Sequence, residues 1–121
     1  MMVVWVACAG SLGAVARFVV DGAIRHRRNT EFPWATVMIN VTGSLILGFL
    51  VGVVLFHGAP REIQVIAGVG FCGGYTTFST ASMETIRLLQ RRRYWAGLFN
   101  AIGTLVLTVA AAAAGMVVAA L

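Results

Sequence analysis

Of the 121 residues, 60% are hydrophobic and 11% charged, whereas soluble globular domains have about 45–50% and about 25%, so the composition excludes a water-soluble fold and requires a lipid bilayer. The net charge of +5 rests on nine arginines and no lysine. Because these arginines flank apolar segments, topology and lipid headgroup contact account for them, and nucleic-acid binding is set aside.

A spanning helix needs roughly 20 mostly apolar residues, and four segments qualify: 3–20, 34–56, 63–86 and 94–121. The chain therefore reads as an all-α membrane protein, one four-helix transmembrane domain over residues 1–121. The first segment has no basic stretch before it and no cleavage site after it, so it is kept as a helix of the mature protein. Its Gly10-Ser11-Leu12-Gly13-Ala14 run is a small-residue face that lets helices approach closely. Arg17 and Asp21 lie one turn apart at its end. They read either as an interfacial snorkelling pair or, with Arg17 facing an anion path, as the positive mouth of that path. The linker 22–33 carries Arg25, His26, Arg27 and Arg28, and Pro33 suits the first turn of the next helix.

In the second segment Thr36, Asn40, Ser44, Gly48 and Gly52 recur every four residues and share one face. A seam of polar side chains between helices explains Thr36 and Ser44. Asn40 is different, because a carboxamide inside a membrane is costly without partners and its NH₂ group can offer two donors to a dehydrated anion.

The third segment holds the stretch around which the chain is organised, GVGFCGGYTTFSTASME over 68–84, with four glycines, six hydroxyls and one acid. Such polarity points to a helix broken near mid-membrane, which lipid tolerates only where protein or a water-filled cavity receives the freed backbone groups. The Gly73-Gly74 pair is the expected break point, and broken helices are where transport proteins commonly bind ions. The GxGxxG match at Gly68 to Gly73 lacks the preceding strand of a dinucleotide site.

In the fourth segment Asn100, Thr104 and Thr108 repeat the four-residue spacing before an alanine-rich run. The two threonines serve either a shared donor track or bonds back to their own helix. Cys8 and Cys72 have no metal-ligand spacing and read as small buried hydrophobes. His26 and His57 sit in loops, so no nucleophile, base and orienting acid converge, and the chain is not read as an enzyme.

The string GFCGGYTTFST with Glu84, the Pro33-Trp34-Ala35-Thr36 and Asn40-Val41-Thr42-Gly43-Ser44 runs, and the first-helix glycines with Arg17 resemble the Fluc (CrcB) fluoride channel family. The resemblance implies a plasma-membrane, multi-pass subunit that dimerises head to tail, with fluoride as the permeant ion and relief of fluoride toxicity as its role. It implies fluoride-path positions at Asn40, Phe78, Thr104, Thr108, Arg17 and Glu84, and a structural Na⁺ held by the backbone carbonyls of Gly73 and Thr76. Where the family string ordinarily has a second pore phenylalanine, this chain has Ala81, so a homodimer would lack one ring in both pores.

Charge placement bears on the same question independently of the resemblance. The first and third loops hold Arg25, Arg27, Arg28, Arg87, Arg91, Arg92 and Arg93, against Arg61 opposite. That bias fixes one orientation, with both termini outside. A head-to-tail homodimer needs both orientations, so the expectation is a heterodimer with an oppositely oriented paralogue, the homodimer being the runner-up. Two other readings stand beside it: a nonconducting structural partner, which Ala81 favours, and a small multidrug-type transporter, which needs an acid deep in the first helix where 3–20 has none.

Overall fold

A computed structural model describes residues 1–28 and 32–121, and every regular element among them is helical. The first segment forms α1, Met2–Arg27, and the second α2, Trp34–His57. The third is built as two pieces, α3 over residues 61–75 and α4 over Phe78–Gln90. Within α3 the stretch Gln64–Cys72 is wound as a π-helix. The fourth segment is α5, Tyr94–Ala120, with a π-helical turn at Phe99–Gly103. Three of these helices, α1, α2 and α5, are each long and apolar enough to cross a membrane.

Two boundaries differ from the sequence expectation. Helix α1 continues past residue 20 to Arg27, because Asp21 and Arg25 form an i,i+4 ion pair and the basic last turn suits the negative end of the helix dipole. Pro33 sits one residue before α2, at its N-cap. At the far end α2 stops at Gly58, whose φ of 65° is left-handed, a conformation glycine enters without a steric penalty.

The interruption in the third segment also lies elsewhere than at Gly73-Gly74. Gly73 has helical angles (φ −62°, ψ −39°), whereas Thr76 (φ −80°, ψ 161°) and Thr77 (φ −147°, ψ 121°) are extended. Close packing is what requires glycine here. A Cβ on Gly74 would overlap the Gly10 carbonyl of α1, and one on Gly13 would overlap the Phe71 carbonyl of α3.

The same device joins α2 to α5. Cβ atoms on Gly48 and Gly115 would overlap the carbonyls of Ala112 and Leu45 respectively, and one on Gly52 would crowd the Ala119 side chain. At the end of this seam His57 Nε2 is hydrogen-bonded to the Ala119 carbonyl. Two glycine-lined helix pairs thus form the body, and the fully buried apolar set is small, with Ile39 the largest deeply buried side chain. Most of the Val, Leu, Ile and Phe surface faces outward, which only lipid or another protein chain can cover.

Replacing Gly48 with valine is expected to lower stability by about 1–3 kcal/mol through overpacking, read as a lower midpoint of thermal unfolding in detergent. Gly22, whose Cβ would meet nothing, is the control. Gly22→Ala within the C-terminal third of α1 is expected to be neutral or stabilising, by up to about 1 kcal/mol.

Candidate functional site

The break between α3 and α4 is held by one side chain. Asn40 of α2 donates from Nδ2 to the Thr77 carbonyl at 2.9 Å and accepts from the Thr77 N–H on Oδ1 at 2.8 Å. Both backbone groups that the interruption strips from Thr77 are thereby paired, at a position where Asn40 itself is buried. Thr77 in turn caps α4, its Oγ1 accepting from the Thr80 N–H. Thr76 closes α3, donating from both its N–H and its hydroxyl to the Cys72 carbonyl. One turn away the Tyr75 hydroxyl is 2.9 Å from Thr42 Oγ1 of α2. The expectation that Asn40 offers two donors to an anion is therefore corrected: one of its N–H groups belongs to Thr77, and one remains.

In an unbroken helix the Thr77 N–H would bond the carbonyl four residues earlier, that of Gly73. Here that N–H goes to Asn40, and the Gly73 carbonyl loses its helical donor. Gly73 itself is exposed, and a Cβ on it would meet nothing within 4 Å.

Around the interruption lies a cavity of about 860 Å³, which brings together Asn40, Phe78, Thr104 and Thr108 with Gly73 and Thr76. Phe78, the first residue of α4, is 87% exposed. The two threonines of α5 differ from each other. Thr108 donates to the Thr104 carbonyl at 2.8 Å and approaches that of Leu105 at 3.1 Å, so its hydroxyl is engaged within its own helix. Thr104 Oγ1 is buried with no hydrogen-bond partner among the described residues, an arrangement that costs free energy unless a ligand or water completes it.

Deeper in the same cavity wall, Asn100 (2% exposed) donates to Thr85 Oγ1 at 2.7 Å and to the Ala81 carbonyl at 3.4 Å. Thr85 also donates to the Ala81 carbonyl. Thr85 was not singled out from the sequence. Its signal was weak, since one threonine in a helix a turn beyond a small residue is commonplace.

Arg17 and Glu84 are not part of this gathering. Glu84 lines a separate cavity of about 350 Å³ with Asp21, Arg25 and Arg87. There its carboxylate accepts from the Thr36 hydroxyl and from Arg25 Nη2, the latter at 2.9 Å. Asp21 pairs with Arg25 at 2.8 Å, not with Arg17, because Arg25 can reach Asp21, Glu84 and Thr36 from one place. Arg17 is half-buried on α1 and makes no hydrogen bond or ion pair among the described residues.

Comparison with known proteins follows the same residues. The model of the family described as CrcB-like protein, Camphor Resistance (CrcB), matches residues 4–116. The chain is 51% identical over 116 residues to "Fluoride-specific ion channel FluC 1" of Leifsonia xyli subsp. xyli, covering 96% of this chain and 85% of that protein. It is 43% identical over 117 residues to "Fluoride-specific ion channel FluC 2" of Cutibacterium acnes, covering 96% and 95%. Against "Fluoride-specific ion channel FluC 2" of Mycolicibacterium paratuberculosis the identity is 46% over 114 residues, covering 93% and 90%.

Asn40→Leu removes the clamp and leaves the part-buried Thr77 N–H and carbonyl unpaired, at up to about 1–3 kcal/mol for each group. A marked fall in the unfolding midpoint is expected. Asn40→Asp, whose neutral carboxyl can accept from the Thr77 N–H and donate its O–H to the Thr77 carbonyl, is expected to fall by less, as thermal denaturation of the purified variants would measure.

Proposed function

The chain belongs to the CrcB family, and on that premise we propose that it is a subunit of a fluoride-selective channel that lets fluoride leave the cell passively and so limits its toxicity. The observation that carries this reading is the convergence of Asn40, Phe78, Thr104 and Thr108 on one cavity at the interruption between α3 and α4. Fluoride is small and strongly hydrated, so a dry path must replace its water with donors. The remaining Asn40 N–H and the unpartnered Thr104 hydroxyl are such donors, and the positively polarised edge of the Phe78 ring is a third. Selectivity against chloride then follows from donor geometry and a narrow bore.

The subunit works as a head-to-tail dimer in the plasma membrane, the third helix of each chain being broken near mid-membrane. Support comes from the outward-facing Phe78 and from the apolar exterior that a second chain would cover. A structural Na⁺ would be held at the centre by the Gly73 and Thr76 carbonyls. The residues suit it, because a hard cation prefers oxygen ligands and the Gly73 carbonyl has lost its helical donor to Asn40. Such an ion would supply a positive field that favours a nearby anion.

The partner is an oppositely oriented paralogue. Arg25 at the end of α1 and Arg87 in the last turn of α4 line one cavity, which puts the arginine-rich ends of both helices on one side of the molecule. That clustering supports a single orientation with both termini outside. Ala81 supports the same pairing, since a partner with its own second ring could complete one pore. The same residue favours a second reading, in which this chain is a nonconducting structural partner within the heterodimer.

Fluoride efflux from liposomes, followed with a fluoride electrode and with chloride as the control ion, tests the proposal. No efflux from this chain alone, but rapid selective efflux after co-assembly with a paralogue from the same genome, is the expected result. Efflux from this chain alone would establish a homodimer, and no efflux in any combination would sink the channel reading. In the conducting assembly, Phe78→Ile is expected to cut flux at least about tenfold without loss of assembly, by removal of the polarised ring edge. Unchanged flux would assign this chain the nonconducting role.

A further inference from the structure

The turn between α4 and α5 is made of three consecutive arginines, Arg91, Arg92 and Arg93, and its backbone fixes how they are presented. Helix α4 ends in a Schellman arrangement: the Arg93 N–H bonds the Leu88 carbonyl at 2.9 Å and the Arg92 N–H bonds that of Leu89 at 3.0 Å. Arg92 takes the left-handed position of that motif with a φ of 61°, and among the described residues no other non-glycine residue has a positive φ. Glycine is the usual occupant, because a Cβ in this conformation crowds the following carbonyl. Helix α2 ends on such a glycine, Gly58 with a φ of 65°. An unfavourable backbone kept with a long charged side chain points to a use for that side chain. The Arg92 guanidinium makes no ion pair or hydrogen bond among the described residues, and all three arginines are exposed.

What lies beside the turn indicates the ligand. Helix α5 begins with Tyr94 and Trp95, both exposed and both of the residue types that settle at the headgroup level of a bilayer. Leu98, Phe99 and Ile102 follow Trp95 at helical spacing and are exposed as well, so one apolar stripe runs from the turn along a helix long enough to span. None of the four lines the larger cavity, whose α5 residues are Asn100, Ala101, Thr104, Leu105 and Thr108. The stripe is therefore turned away from that cavity. We propose that Arg91, Arg92 and Arg93 together with this stripe form a binding site for an anionic phospholipid, its phosphate taken by the arginines and an acyl chain laid along α5. Planar guanidinium groups match the geometry of a phosphate, and the apolar stripe continuous with them is what a free phosphate would not use. The site does not depend on which ion the protein conducts. It is also distinct from the setting of topology, which needs positive charge in the loop but places no demand on the backbone at Arg92. Each arginine near an anionic membrane surface is worth about fivefold in affinity, and a lipid that binds only the folded protein raises its stability as the site fills.

The test is the thermal unfolding midpoint of the purified full-length assembly in detergent micelles, titrated with phosphatidylglycerol, with phosphatidylcholine or with inorganic phosphate. Phosphatidylglycerol is expected to raise the midpoint to a plateau, and the other two to leave it in place. Arg92→Gly is expected to need about fivefold more phosphatidylglycerol for half of that rise. Its midpoint without the lipid should be unchanged or higher, because glycine suits the left-handed position, so the lost response is not a lost fold. Arg92→Lys keeps the charge and is expected to titrate within about twofold of the unmodified chain. Arg61→Gln removes an equal charge from the start of α3 and is expected to change nothing. The proposal is overturned if Arg92→Gly titrates like the unmodified chain, or if Arg61→Gln weakens the response as much, which would leave only diffuse charge. A lower lipid-free midpoint for Arg92→Gly would also overturn it, by making the side chain a structural contact. An equal rise with phosphatidylcholine would replace it with a general lipid effect, and an equal rise with inorganic phosphate with a simple ion site.

Discussion

The structure depends on the two hydrogen bonds between Asn40 and the backbone of Thr77. An interrupted helix in a low-dielectric interior exposes an N–H and a carbonyl that nothing nearby on the same helix can reach, and each orphaned group would weigh against the fold. A carboxamide of the right length offers one donor and one acceptor side by side, and Asn40 meets both groups at 2.8–2.9 Å. Once Thr77 is held there, Thr76 can remain extended, the Gly73 carbonyl is left without its N–H, and Phe78 starts a new helix aimed along the cavity. The polar features of the site are consequences of that one contact between α2 and the α3–α4 junction.

Around it the molecule is built from backbone proximity more than from a side-chain core. Glycines let α1 sit against α3 and α2 against α5 with carbonyls almost in contact. In a bilayer, where apolar burial between helices gains little over lipid, such close van der Waals packing is what holds helices together. It also explains how a chain with so few deeply buried side chains forms a defined body. Rigid, small-residue seams on two flanks leave the polar residues of α2, α4 and α5 to face the remaining space.

Much of this was legible in the sequence, and the limits have physical causes. Apolar length gave the helices, and four-residue spacing put Asn40 beside Ser44 and Thr104 beside Thr108, as the shared cavity bears out. What pattern could not supply were partners distant in sequence. The groups that Asn40 meets belong to the peptide backbone 37 residues away, and backbone groups carry no signature in the side-chain code. Asp21 has an arginine one turn to either side, and only the placement of Glu84, 59 residues beyond Arg25, decides between them. Gly73-Gly74 was read for its conformational freedom, whereas Gly74 provides closeness to Gly10. Thr104 and Thr108 looked equivalent, yet one hydroxyl is engaged by its own helix and the other is not.

The separation of Asn40 from Thr77 has a consequence for how the protein is made. Chains are synthesised from the N-terminus, and N-terminal parts can settle first. Thr77 leaves the ribosome after the whole of α2, so the carboxamide of Asn40 precedes it into the membrane. The awkward junction thus emerges into a membrane that already holds its partner. Had the clamp lain on α5, the unpaired Thr77 groups would have had to wait for it in lipid, and the order of the two segments in the gene spares the nascent chain that exposure.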